Sequence, residues 1–191
     1  PSAERLVLSW DSFMSFPAWA VRGAFYEFAG ERIRAFTQVF PDFAPEFHLS
    51  IRNPATFLPA LKARVAERGH DPNLVDCDPM ALCWSDAIRQ ILQFNPGAQI
   101  TVWCDEDTPL IWPEVLQAVS GHAPDCQLTD CDDMLAQVLT ESGLARMRAY
   151  CAEHPPASVA HRRRVATAFM EKFARPEHIG IPVEMPGWTQ D

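Results

Sequence analysis

Three short apolar segments, each followed by a helical pattern, constrain the fold of this chain more than any other feature. They cover residues 5–10, 46–52 and 99–104, and turn-forming residues bound each of them. Their apolar side chains alternate only in part with polar ones, which is typical of strands that are covered on both faces. Strands that alternate with helices indicate an α/β domain built on a parallel sheet. We therefore expect a parallel sheet flanked by helices.

Helical patterns occupy most of the remaining chain. They cover residues 21–40, 54–68, 79–94, 109–119, 132–142, 144–154 and 158–174. In the first of them the phenylalanines recur mostly at three- and four-residue steps, and Pro41 ends the pattern. Because four of these segments follow the third strand, we predict a helix-rich C-terminal half.

The length fits one globular domain, but the number of predicted strands is small. The chain has 191 residues, of which 48% are hydrophobic and 21% are charged, and a domain commonly has about 100–200 residues. A sheet commonly has about five or six strands, so three central strands would lack neighbours. We predict that residues 1–191 form a single α/β domain that is an incomplete part of a longer protein.

The charge balance argues against several classes of partner. The 16 Lys and Arg residues are outnumbered by 25 Asp and Glu residues, which gives a net charge of −9 and leaves no long basic stripe for a nucleic-acid backbone. No apolar run approaches the roughly 20 residues that span a bilayer, and the first residues lack the pattern of a signal peptide. We expect a cytoplasmic protein without a nucleic-acid or membrane partner, and the oligomeric state stays open.

A metal site is not predicted either. The six cysteines form no C-x-x-C pair and no Cys/His zinc spacing, so they are typical of reduced thiols. The run Asp105-Glu106-Asp107 is either a set of metal ligands or the acidic start of a helix. Consecutive residues of one loop rarely converge on one ion, which favours the helix start.

Polar residues at the strand ends are the candidates for a binding site, because ligands of open parallel sheets bind beyond the carboxyl ends of the strands. Arg52 ends the second strand and is followed at once by Asn-Pro and a helix. An arginine fixed next to a positive helix end can bind phosphate or sulfate bidentately. The alternative is that Arg52 pairs with a carboxylate such as Asp11 or Asp105. His48 alternates with apolar residues inside the strand and is typical of a core histidine.

A family resemblance begins at the same arginine. The segment 47–59, FHLSIRNPATFLP, resembles the strand, the R-N-P motif and the helix of the P-loop sulfotransferases, in which the arginine holds the 3′-phosphate of the donor 3′-phosphoadenylyl sulfate. The strand end LVLSWDSF is similar to a segment that ends in serine and an acidic residue in many such proteins, and residues 100–112 and 186–188 are similar to segments of bacterial proteins grouped with them. The resemblance implies a P-loop nucleoside triphosphate hydrolase-like fold of the sulfotransferase type. It also implies that Arg52 and Ser9 bind the nucleotide donor.

Three departures from the family pattern leave the activity open. The eight glycines contain no G-x-x-x-x-G-K-[ST] loop, Ala60 occupies the position where the family has a serine eight residues after its arginine, and the late glycine and basic loop is not evident. If sulfuryl transfer occurs, the acceptor hydroxyl needs a base, and Asp11 is the candidate; its alternative role is that of a helix N-cap or loop aspartate. We predict a sulfotransferase-like protein with an unknown acceptor or, as the alternative, a non-catalytic binding or scaffold protein that retains the fold.

Overall fold

The computed structural model describes residues 5–75, 77–123, 126 and 128–178. In this part of the chain the protein is α/β, with a small parallel sheet of two strands and seven α-helices. The strands are β1 (Glu46–Ile51) and β2 (Gln99–Cys104). The segment 186–188, which is similar to segments of the bacterial proteins grouped with the sulfotransferases, lies outside the described residues.

Two of the three predicted strands are confirmed, and the one at residues 5–10 is wrong. Among the described residues this segment pairs with no strand, and Leu6, Val7 and Leu8 are about half exposed. Arg5 instead donates from Nη1 to the carbonyl oxygen of Val119, at 3.1 Å, near the end of a helix. This contact is favourable because cations are stabilised at helix C-termini. The segment has the composition of a strand, but without a neighbouring strand its backbone has nothing to pair with.

The helices follow the sequence patterns with some changes at their boundaries. They are α1 (Ala29–Thr37), α2 (Pro54–Glu67), α3 (Trp84–Phe94), α4 (Thr108–Ser120), α5 (Asp133–Val138), α6 (Glu141–Glu153) and α7 (Val159–Phe173). Four of them follow β2, as the predicted helix-rich C-terminal half requires.

Three of the predicted helices have the wrong extent, and each has a local cause. The helix predicted over 21–40 begins only at Ala29, because Gly23 and Tyr26 have positive φ angles of 79° and 49° that a helix does not admit. The helix predicted over 79–94 is split into the single turn Pro79–Ala81 and α3 by extended backbone at Leu82. The segment 132–142 is divided because Thr140 accepts a hydrogen bond from the Gly143 amide and caps α6.

The described chain divides into two compact units, one formed by residues 8–103 and the other by residues 5–7 and 104–178. The prediction of one incomplete domain over residues 1–191 stays a prediction. None of the described helices has the length and apolar character needed to cross a membrane.

The unit of residues 8–103 contains the sheet and α1 to α3. Its main core packs one face of α2 against the irregular segment before α1, and the ring of Phe25 stacks on that of Trp84 at 4.1 Å between centroids. His48, in β1, has a side chain that is only 17% exposed. Both of its ring nitrogens are buried without a hydrogen-bond partner, and Nε2 lies 3.8 Å from Oε2 of Glu46. This largely buried position agrees with the predicted core histidine.

The second unit contains α4 to α7, and Cys104 is the one residue of the two-stranded sheet in its described part. Its core is formed by side chains of α5, α6 and α7 and by Leu139, which is fully buried. Asp132 accepts hydrogen bonds from Arg162 at 2.9 Å and from Arg148 at 3.3 Å, and so joins α6 and α7 at the start of α5. Arg163 of α7 pairs with Glu114 of α4.

The close packing of α1 on α3 gives a test of the fold. A Cβ atom at Gly30 would lie 2.7 Å from both the Gln90 carbonyl oxygen and Cδ2 of Phe94. We expect Gly30→Ala to lower the free energy of unfolding by about 1–3 kcal/mol, because overpacking outweighs the higher helix propensity of alanine. Urea denaturation measures the change. Arg34→Ala, at an exposed position of α1, should change it by no more than about 0.5 kcal/mol, and equal stability of the two variants would contradict this packing.

Candidate functional site

Arg52 is held firmly at the junction between β1 and α2. The indole Nε1 of Trp84 donates a hydrogen bond of 2.7 Å to the Arg52 carbonyl oxygen. The Nε of Arg52 donates to Oγ1 of Thr56 at 3.1 Å, and that hydroxyl donates in turn to the Asn53 carbonyl oxygen. The two terminal nitrogens of Arg52 have no hydrogen-bond partner among the described residues. The strand end therefore presents a guanidinium group whose terminal edge is open to a ligand.

The first amide groups of α2 are already used within the chain. Oδ1 of Asn53 accepts a hydrogen bond from the Ala55 amide at 3.0 Å. The carbonyl oxygen of Asn53 accepts from the amides of Thr56 and Phe57. An anion at this place would therefore be bound by arginine side chains, while the helix contributes only the positive end of its dipole.

A cavity of about 240 Å³ adjoins this junction. Its walls combine charged, aromatic and small side chains, which include those of Asp11, Tyr26, Arg52, Phe57, Ala60 and Arg64. Burial raises the pKa of Tyr26 to about 12, so its hydroxyl remains protonated at neutral pH.

Asp11 lies at the edge of the cavity and is bound by two arginines. Its Oδ2 accepts hydrogen bonds from Arg68 at 3.0 Å and from Arg64 at 3.4 Å, and its Oδ1 accepts one from the buried Ser12 hydroxyl. The hydrogen bond from Ser12, together with the bond and charge of Arg64 and the charge of Arg68, lowers the pKa of Asp11. A carboxylate with a lowered pKa is a weak proton acceptor.

The structure brings two of the three predicted site residues to one cavity, Asp11 and Arg52. Ser9 is exposed and does not line it. The alternative pairing of Arg52 with Asp11 or Asp105 is not found among the described residues, because Asp11 pairs with Arg64 and Arg68 instead. The catalytic and donor-binding roles assigned to these residues stay predictions.

The sequence interpretation missed the row of side chains along α2. Thr56, Ala60, Arg64 and Arg68 follow Arg52 at steps of four residues. Residues four apart lie on one face of a helix, so this spacing was a readable signal that the helix carries one charged face toward its C-terminal end.

The acidic run lies at the start of α4, as predicted, with Asp107 at the N-cap position. Asp105–Asp107 form a single 3₁₀ turn, and the Asp107 side chain makes no capping hydrogen bond to α4. Three or more His, Cys, Asp or Glu side chains that could hold a metal ion are not grouped anywhere in the described residues.

The chain matches no family model, and no curated protein or solved structure shows significant similarity to it. The chemistry of the cavity is therefore interpreted from its own residues.

The lowered pKa of Asp11 predicts a pH-dependent contribution to stability. A carboxyl group whose pKa is lower in the folded than in the unfolded state stabilises the fold above its ordinary value, here 3.8, and that contribution is lost as the pH falls through the folded value. We expect Asp11→Asn to lower the melting temperature at pH 7, and the difference from the parent should shrink below about pH 4. Thermal unfolding between pH 7 and pH 3 measures it. A difference that does not depend on pH would show that the carboxylate charge plays no part.

Proposed function

We propose that this chain is a sulfotransferase-like protein whose Arg52 cavity binds the phosphate group of a nucleotide donor, 3′-phosphoadenylyl sulfate. One observation carries the proposal: the open guanidinium edge of Arg52 at the end of β1, beside a cavity of about 240 Å³. In this proposal β1 and β2 belong to a sheet of the P-loop type, and an unidentified small molecule accepts the sulfuryl group.

The local charge supports an anionic ligand despite the acidic chain. Among the described residues, Arg64 pairs with Asp11 and Glu67, Arg68 pairs with Asp11, and Arg52 pairs with no carboxylate. The chain as a whole carries −9, whereas the row from Arg52 to Arg68 along α2 carries a local excess of positive charge. A local excess of positive charge attracts a small anion, whereas a long polyanion would meet the acidic remainder of the surface.

Arg64 is a candidate for a second phosphate-binding residue. In the sulfotransferase pattern this role belongs to a serine, at the position that Ala60 occupies here. Both residues line the cavity, and Arg64 lies one helical turn after Ala60 on the same face of α2. The Arg64–Asp11 contact is 3.4 Å long and both side chains are 52% exposed. Exposed ion pairs contribute little to stability, so Arg64 can exchange Asp11 for a phosphate oxygen at small cost.

A second candidate function, a binding protein without transfer activity, is favoured by the state of Asp11. Two arginines and Ser12 stabilise its charged form, which makes it a poor base for an acceptor hydroxyl. Among the described residues that line the cavity, no other carboxylate and no histidine is present. Binding and transfer therefore need separate tests.

Binding is tested with 3′,5′-adenosine bisphosphate in titration calorimetry. Arg52→Ala should weaken its affinity roughly tenfold or more, because a charge-assisted hydrogen bond contributes about 1.5–3 kcal/mol. Arg34→Ala is the matched control, since Arg34 is an exposed arginine of α1 that does not line the cavity. Ala60→Ser should tighten binding by up to about tenfold, because it adds a hydroxyl donor to the wall. Equal affinity of the parent and Arg52→Ala would refute the assignment of Arg52.

Transfer is tested by incubating the full chain with ³⁵S-labelled 3′-phosphoadenylyl sulfate and a mixture of phenol, alcohol and amine acceptors. A sulfotransferase should release 3′,5′-adenosine bisphosphate and label an acceptor, and Arg52→Ala should abolish both. Tight binding of the bisphosphate without any labelled product would favour the non-catalytic candidate. Failure to bind the bisphosphate would reject both candidates at this cavity.

A further inference from the structure

A second cavity, of about 430 Å³, lies in the unit of residues 8–103 and is not used by the proposed function. It is lined mainly by side chains of α1 and of the irregular segment before it, which are those of Met14, Trp19, Arg22, Phe28, Glu31 and Arg32. We call it the aromatic cavity. Ser15 lines both cavities, so the two adjoin.

The rings around the aromatic cavity are unusually open to solvent. Trp19 is 52% exposed and Phe28 is 56% exposed. Phe16, itself 42% exposed, makes edge-to-face contacts with Trp19 and with Trp10, at 5.8 and 6.2 Å between ring centroids. A contiguous apolar patch on a folded surface commonly marks a binding site. These rings offer flat faces to an apolar ligand.

The two arginines of the aromatic cavity have different environments. Arg32 donates from Nε to the Phe13 carbonyl oxygen at 2.9 Å and from Nη2 to the Ser12 carbonyl oxygen at 3.3 Å, so its guanidinium is largely used within the protein. Arg22 lies 5.3 Å above the Trp19 ring. Among the described residues, no carboxylate or carbonyl group accepts a hydrogen bond from the Arg22 side chain. Arg22 is therefore held by a ring while its N–H groups remain open.

We propose that the aromatic cavity binds an organic monoanion with a flat apolar body, an aromatic carboxylate. The ring of the ligand packs against Trp19 and Phe28, and its carboxylate accepts two hydrogen bonds from the planar guanidinium of Arg22. The apolar end of the ligand is then held by the two aromatic rings, and its charged end is held by Arg22. The site uses side chains other than those of the Arg52 cavity, so the proposal does not depend on the proposed function.

Glu31 limits the charge of the ligand. Its carboxylate lines the same cavity, and no positively charged side chain pairs with it in the described part of the chain. Two arginines and one carboxylate leave a single excess positive charge, which matches one negative charge on the ligand. A second negative charge, as in a dicarboxylate or a phosphate ester, would approach Glu31 and be repelled. A neutral ligand would leave the open edge of Arg22 without a partner.

The proposal is tested with 2-naphthoate and its neutral counterpart 2-naphthamide, which share one ring system and differ in charge. In titration calorimetry with the full chain, 2-naphthoate should bind roughly tenfold or more tightly than 2-naphthamide. Arg22→Gln should remove this preference, whereas Phe28→Ala should weaken the binding of both compounds. Arg34→Gln, at an exposed arginine of α1 that does not line the aromatic cavity, should leave both affinities unchanged.

The variant Glu31→Gln should bind a dianionic ligand more tightly than the parent does. It should improve the affinity for naphthalene-2,6-dicarboxylate more than that for 2-naphthoate, because only the dianion brings a second charge toward position 31. Equal binding of 2-naphthoate and 2-naphthamide by the parent, or no binding of 2-naphthoate, would overturn the proposal. An unchanged preference in Arg22→Gln, with a thermal melting curve like that of the parent, would overturn the role of Arg22.

Discussion

The hydrogen bond from the Trp84 indole to the Arg52 carbonyl oxygen ties the end of the sheet to the core of its unit. The same indole ring stacks on Phe25 and contacts Phe57 edge to face, at 4.1 and 5.5 Å between centroids. One side chain therefore packs in the core and satisfies a backbone acceptor at the strand end. Because Arg52 belongs to that backbone, its guanidinium starts from a fixed point, and the bond from its Nε to Thr56 further limits its orientation. A rigid support of this kind is what a binding arginine needs.

The residues around the Arg52 cavity also explain how an acidic chain forms a positive site. Asp11 pairs with Arg64 and Arg68, which lie one turn apart at the C-terminal end of α2. Cations are favoured there by the helix dipole, so the two arginines stabilise the helix and hold the turn that contains Asp11. In the described part of the chain, their pairing leaves Arg52, at the other end of the helix, without a competing carboxylate. The anion site thus depends on where the carboxylate is bound, and the net charge of the chain does not determine it.

The local sequence patterns predicted which helices and strands form. They predicted less well what each segment packs or pairs with. Periodicity placed β1, β2 and the seven helices, because side-chain spacing is a property of the segment itself. It failed at residues 5–10, whose apolar composition is that of a strand although Leu6 and Leu8 are exposed, since pairing depends on a neighbour that the segment does not encode. It also failed at the start of α1, where the backbone angle of Tyr26 has no signal in its residue type.

The same distinction applies to the candidate sites, and the arginines show it most clearly. The motif around Arg52 was recognisable because strand, arginine and helix are consecutive in the sequence. The four-residue spacing that leads to Arg64 was equally readable, because the sequence pattern already predicted a helix over 54–68. Nothing in the sequence separates Arg22 from Arg32, yet one is open above a tryptophan ring and the other is bound to two backbone carbonyl oxygens. The availability of an arginine for a ligand is decided by which acceptors the fold has already given it, and for that reason side-chain partners, more than residue type, identify the binding groups of this protein.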